Sequence, residues 1–141
     1  VSILAVMAQM RVRDAAVFLG VSEDTVRRWI ERGDLPATTD ASGRKVLEGI
    51  DVARLAQDHA VTPGLDGPTR SSARNRFVGL VTRVLSDTVM SQVELQCGPF
   101  RVVSLMSTEA VQDLGLEPGS IASAVVKATH VVVEAEEGPA R

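Results

Sequence analysis

The hydrophobic period changes once along this chain, and that change constrains the fold more than any other feature. Before about residue 57 apolar residues recur at helical spacing; beyond residue 70 they alternate at strand spacing. Gln57–Arg70, between them, is rich in Pro, Gly and polar residues and has no periodicity, so it reads as a linker. At 141 residues the chain has room for two small domains. The expectation is an α+β chain: an extension over 1–9, a helical domain over 10–58, a linker over 59–70, a β domain over 71–135 and a tail over 136–141.

Composition excludes several classes. The chain is 45% hydrophobic and 23% charged, and no apolar run approaches the roughly 20 residues that span a bilayer, so a cytoplasmic protein without membrane partners is expected. Val1–Met10 is mildly apolar without a basic start, which reads as a non-native or mistranslated extension rather than a leader. The lone Cys97 has no partner for a disulfide or a thiolate metal site, which suits a reducing compartment, and in a strand it reads as a small buried hydrophobe. His59 and His130 lie too far apart in sequence, and are too poor in nearby carboxylates, to resemble a metal or catalytic cluster, and none is expected. No nucleophile and base can be paired, and an enzyme is not expected.

In the first half, Val12, Ala15, Ala16 and Leu19 form the buried stripe of a short helix. Gly20-Val21 breaks it. Ser22 is placed to cap a second helix, with Glu23 and Asp24 in the first turn, where the dipole favours negative charge. Val26, Trp29 and Ile30 form its apolar face, Thr25, Arg27, Arg28, Glu31 and Arg32 point outward, and Gly33 ends it. Two helices about a tight turn predict a helix-turn-helix, whose second helix enters the major groove. Asp40-Ala41-Ser42-Gly43 is then a turn between short strand-like stretches, a small wing with Arg44 and Lys45 beyond it, and Ile50–Leu55 reads as a closing helix. Residues 10–60 carry eight bases against nine acids, a net charge of −1, so a monomer should hold DNA weakly and self-association would have to add contacts.

The segments Arg13-Asp14-Ala15-Ala16, Leu19-Gly20-Val21-Ser22, Thr25-Val26-Arg27-Arg28-Trp29 and Gly33-Asp34-Leu35-Pro36 resemble the DNA-binding domains of the MerR and excisionase group. That resemblance implies a winged helix-turn-helix in which Thr25, Arg27 and Arg28 face DNA and Arg44 or Lys45 contact phosphate. Trp29 belongs to the core.

In the second half, Phe77–Leu85, Val89–Cys97, Phe100–Met106, Ile121–Lys127 and His130–Glu134 read as five strands, with Gly98-Pro99 as a hairpin turn. Ser107 is placed to cap a short helix whose Ala110, Val111 and Leu114 turn inward and whose Gly115 ends it. Five strands with a helix between the third and fourth suggest an OB-like β-barrel. Two segments about fifty residues apart, Ser72-Ala73-Arg74-Asn75 and Val126-Lys127-Ala128-Thr129, sit at strand edges and together offer hydroxyls, a guanidinium and an ammonium. Such groups suit a small oxyanion site.

These segments, with Phe77-Val78-Gly79, Leu114-Gly115-Leu116, Pro118-Gly119 and Val125-Val126, resemble the Mop (molbindin) domain of the TOBE superfamily over roughly residues 71–135. The resemblance implies molybdate or tungstate bound between subunits, at Ser72, Ala73, Arg74, Asn75, Lys127, Ala128 and Thr129, with Ser104 and Ser107 lining a second kind of site near a symmetry axis. Molybdate is a tetrahedral dianion with about eight lone-pair contacts to fill, which backbone amides, hydroxyls and cations satisfy without a protein-bound metal ion. A single unit of this kind per chain implies a homo-oligomer: a dimer, trimer or hexamer. The two halves together predict a molybdate-responsive transcriptional regulator that binds promoter DNA. The rival expectation is a molybdate storage protein whose helical half serves protein interaction.

Overall fold

The computed structural model describes residues 8–61 and 70–136. The expected extension up to residue 7, linker residues 62–69 and tail residues 137–141 lie outside the described residues. The chain divides between Val61 and Thr62 into two compact units.

The first unit opens with β1 (Gln9–Met10) and α1 (Val12–Leu19), whose predicted stripe buries Val12, Ala15 and Ala16. Gly20 ends α1 in the left-handed region at φ 67°, where a side chain would be strained. The predicted cap forms: Ser22 Oγ accepts from the Thr25 N–H at 3.2 Å and starts α2 (Glu23–Glu31). Beyond α2 the chain turns back through Asp34 and Leu35, whose N–H groups both donate to the Trp29 carbonyl, and this drives Leu35 into the core. β2 (Thr38–Thr39) and β3 (Lys45–Glu48) form an antiparallel hairpin, β1 adds to the other edge of β3, and α3 (Gly49–His59) closes the unit. β1 starts one residue before the expected start of the domain, and the Gly49 N–H donates to the Ala8 carbonyl at 2.6 Å. The core is Val12, Ala15, Ala16, Val26, Leu35, Leu47, Val52 and Leu55, with Trp29 half-buried against it. Full burial of a Val or Leu contributes about 1.5–3 kcal/mol, so Val26, Leu35 and Leu47 fasten α2 to the hairpin.

The second unit is one curled antiparallel sheet of β4 (Asn75–Ser86), β5 (Met90–Cys97), β6 (Phe100–Ser107) and β7 (Ile121–Val126), in the order β6-β5-β4-β7. Gly98, at φ 58°, makes the tight turn that the Gly-Pro pair predicted. Ser107 caps α4 (Thr108–Leu114), accepting from the Ala110 N–H at 3.0 Å, and Gly115 ends it at φ 63°. Val81, Val93, Leu95, Cys97 and Val111 form the core, on the face that α4 covers.

Two expectations are corrected. The fifth strand, His130–Glu134, does not form, so the expected five-stranded barrel is a four-stranded half-barrel. The 3-10 turn Ala128–His130 follows directly on β7, and the extended backbone that resumes at Val131 pairs with no strand among the described residues. Val132 and Val133 are accordingly 85% and 87% exposed. Leu114 is also exposed rather than inward, because α4 ends there beside a groove the sheet leaves open, and Leu116 packs on the core instead.

Candidate oxyanion site and helix-turn-helix surface

Antiparallel pairing of β4 with β7 sets the first residue of one against the last residue of the other. Asn75 stands opposite Val126, and its Nδ2 donates to the Val126 carbonyl at 3.2 Å. Ser72, Ala73 and Arg74 therefore enter the sheet at the corner where Lys127, Ala128 and Thr129 leave it. The Ala73 N–H donates to Ser71 Oγ at 3.1 Å, which shapes the approach. On the other side the His130 N–H closes on the Lys127 carbonyl at 2.9 Å, which turns Thr129 back beside the corner.

Ser72, Arg74, Lys127, Ala128 and Thr129 are exposed, and Ala73 and Asn75 half-buried. Among the described residues no carboxylate pairs with Arg74 or Lys127, whereas Arg11, Arg27, Arg32 and Arg101 each have an acid partner. Two uncompensated cations with hydroxyls and backbone donors can hold an oxyanion by charge-assisted hydrogen bonds. No group of three His, Cys, Asp or Glu side chains that could hold a metal ion occurs among the described residues.

The other two candidate serines lie elsewhere. Ser104 is on β6, opposite Val93, and faces the groove; Ser107 ends β6 and spends its acceptor on the α4 cap. Within one chain β6 and β7 are opposite edges of the sheet, so neither serine joins the corner. The groove between these edges measures about 600 Å³ and is lined mainly by apolar side chains, among them Val102, Met106, Ala122 and Ala124.

Longer-range contacts that sequence reasoning missed support this unit. Ser91, almost fully buried, bonds Ser86 at 2.7 Å and Thr108 at 2.8 Å, and Thr108 donates to the Asp87 carbonyl, which ties α4 to the β4–β5 turn. Asp87 accepts from the Met90 and Val89 N–H groups, which lower its carboxyl below the usual range. Glu94 is held low first by the Arg101 guanidinium, which in turn is raised. The Asp87 contacts are a local turn that its position before Val89 and Met90 could have signalled, whereas nothing local signals the Ser91–Thr108 or Glu94–Arg101 partners.

In the first unit, Arg27, Arg28, Arg44 and Lys45 are exposed and Thr25 half-buried. Arg27 pairs along its own helix with Glu23 at 3.5 Å and Asp24 at 3.7 Å; Arg28 Nη2 donates to Thr25 Oγ1 at 3.1 Å. Asp40 builds the hairpin turn, accepting from the Arg44 N–H at 2.9 Å, Arg11 at 2.7 Å and both Ser42 donors. These contacts, led by Arg44, hold its carboxyl far below the usual range. They also fix the tip from which Arg44 and Lys45 project. Trp29 stacks on His59, ring centroids 4.9 Å apart, so the histidine fastens the end of α3 to α2.

A helix-turn-helix unit followed by a small β domain, a four-stranded half-barrel, defines a class of two-part protein. Residues 10–59 match the family model of a helix-turn-helix domain, and residues 71–133 match that of the TOBE domain. The chain is 37% identical over 63 residues to molybdenum-pterin-binding protein 3 of Clostridium pasteurianum, covering 44% of this chain and 93% of that protein. It therefore belongs, through its second unit, to the family of the molybdenum-pterin-binding (Mop) proteins. Among solved structures, a molybdate-binding protein from Sporomusa ovata is 30% identical with a TM-score of 0.46, covering 48% of this chain and all of that one. The cytoplasmic molybdate-binding protein ModG, solved with molybdate bound, is 41% identical with a TM-score of 0.41, covering 43% of each chain. These relatives are binding proteins by description.

Proposed function

We propose that this chain is a cytoplasmic, molybdate- or tungstate-binding regulator that acts on promoter DNA. The observation that carries the ligand is the β4–β7 register, which brings the segments Ser72–Asn75 and Val126–Thr129 to one end of the sheet, where Arg74 and Lys127 have no carboxylate partner among the described residues. Kinship to Mop proteins over the same segment supports molybdate as the oxyanion. Ala73, Asn75 and Ala128 complete the set as the residues that flank these side chains at the corner, and no catalytic step is assigned.

In one chain this corner is open to water, where a dianion would be poorly held. A second copy would complete it, and the open groove together with the exposed Val132 and Val133 supports self-association as a dimer, trimer or hexamer. Ser104 and Ser107 would then line a separate site at a symmetry axis. The helix-turn-helix would read DNA as a winged, MerR-like module, with Thr25, Arg27 and Arg28 on α2 and Arg44 and Lys45 on the hairpin. Electrophoretic mobility shifts against the DNA upstream of the chain's own gene, with and without molybdate, test this function: a molybdate-dependent change in binding is expected.

The second reading is molybdate storage, with the helical unit serving protein contacts. It is favoured by the acids that share α2 with its arginines. Molybdate binding without DNA binding under any condition would select it. For either reading, molybdate at about 100 times its dissociation constant should stabilise the fold by roughly 2.7 kcal/mol, and sulfate far less; no thermal shift in anion-stripped protein would refute both.

A further inference from the structure

The exposed surface of α2 divides into two stripes of different charge. One holds Glu23, Arg27 and Glu31 at fourfold spacing, with Asp24 beside it, and its single base is paired to two of its acids. The other holds Ser22, Thr25, Arg28 and Arg32; Arg32 pairs with Asp34 beyond the helix, and Arg28 has no carboxylate partner among the described residues although Asp24 lies one turn before it. Along this second stripe the polar groups are chained: Ser22 Oγ meets both the Thr25 N–H and Thr25 Oγ1, the latter at 3.0 Å, and Thr25 Oγ1 accepts from Arg28.

From this we infer that Arg28 is the base-reading side chain of α2 with Thr25 as its positioning residue, while Arg27 contacts phosphate alone. The inference rests on the DNA-binding reading above. A guanidinium has five N–H donors in a fixed fork, and Arg28 gives one to Thr25, leaving the rest to meet the O6 and N7 acceptors of a guanine. Its anchor is itself anchored, because Ser22 fixes Thr25 through the helix cap, and a reading group is accurate only when its support is held. Arg27 is placed differently. Its guanidinium is engaged by Glu23 and Asp24 rather than held by a neutral hydroxyl, so nothing fixes it in the orientation that a base edge demands. Exposed pairs of this kind are weak, so its guanidinium can leave them for a phosphate, a contact that positions without specifying.

The test uses the full chain and a pool of duplexes randomised at their centre, selected by binding and sequenced. Wild type should enrich a guanine at a fixed position. Arg28→Ala should lose that preference and bind the selected duplex roughly ten- to a hundredfold more weakly, with a much smaller loss on scrambled duplex. Thr25→Val should weaken the same preference and Thr25→Ser restore it, with unchanged melting followed by Trp29 fluorescence. Arg27→Ala should weaken selected and scrambled duplexes by one common factor and lower the salt slope by about one. Loss of the guanine preference in Arg27→Ala, or a uniform loss in Arg28→Ala, overturns the assignment while leaving DNA binding intact. Wild type that binds no duplex at any salt overturns the DNA-binding reading and this assignment together.

Discussion

Gly79→Ala should destabilise the half-barrel, although it adds one methyl group to a strand. Gly79 sits in β4 where β5 passes closest: a Cβ there would press on the Gln96 carbonyl oxygen and lie 2.7 Å from Cys97 Sγ. Neither neighbour gives way cheaply. The carbonyl is backbone in the β5 ladder, and Cys97 is buried with its Sγ directed at the Phe77 carbonyl. Overpacking of this kind typically costs about 1–3 kcal/mol, and a clash with backbone belongs at the upper end. In a domain of this size each kcal/mol lowers the melting temperature by roughly 4–8 °C, so a fall of about 10 °C or more is expected by calorimetry. Adding Cys97→Ala removes the sulfur contact but not the carbonyl, so the double variant should recover only part of the loss. Gly79→Ala melting with the wild type would show that the strands do not approach as closely as described. Full rescue by Cys97→Ala would show that the sulfur alone sets the limit.

Three other outcomes follow from the structure. Lys127→Ala and Arg74→Ala should each weaken molybdate binding about ten- to a hundredfold by calorimetry without unfolding the sheet, since a hydrogen bond to a charged group contributes roughly 1.5–3 kcal/mol; wild-type affinity in both would empty the corner of its proposed role. Ser107→Ala should remove the α4 cap at a cost of about 0.5–2 kcal/mol, read as a lower melting temperature, and Ser107→Asp should restore it. Because the folded state depresses the Asp40 carboxyl, the unfolded chain binds more protons in acid. The contribution of Asp40 should hold at neutral pH and fade as pH drops below about 4, through its depressed folded value. Asp40→Asn should therefore flatten the acid limb of stability against pH, and an unchanged limb would dissociate the turn from the Asp40 charge.

What the sequence determined by itself is whatever rests on neighbours a few residues apart. The apolar stripe and Gly20 bounded α1, Ser22 and Ser107 announced their caps, Gly98-Pro99 marked its hairpin, and the change of period separated helical from β residues. The two polar segments of the oxyanion corner were visible as segments, as was the resemblance they carry. Their meeting was a matter of register: Asn75 faces Val126 across 51 positions because β4 pairs with β7, and no local pattern encodes that partner. The same limit explains the missing fifth strand. Val131–Val133 have the composition of a strand, but a strand exists only when a neighbour accepts its hydrogen bonds, and after the turn at Ala128–His130 they have no ladder partner among the described residues. Helix periodicity, a local rule, separates the surroundings of like residues. Arg27 and Arg28 are indistinguishable as letters, yet one leans on acids and the other on a capped threonine, because α2 turns them to different sides.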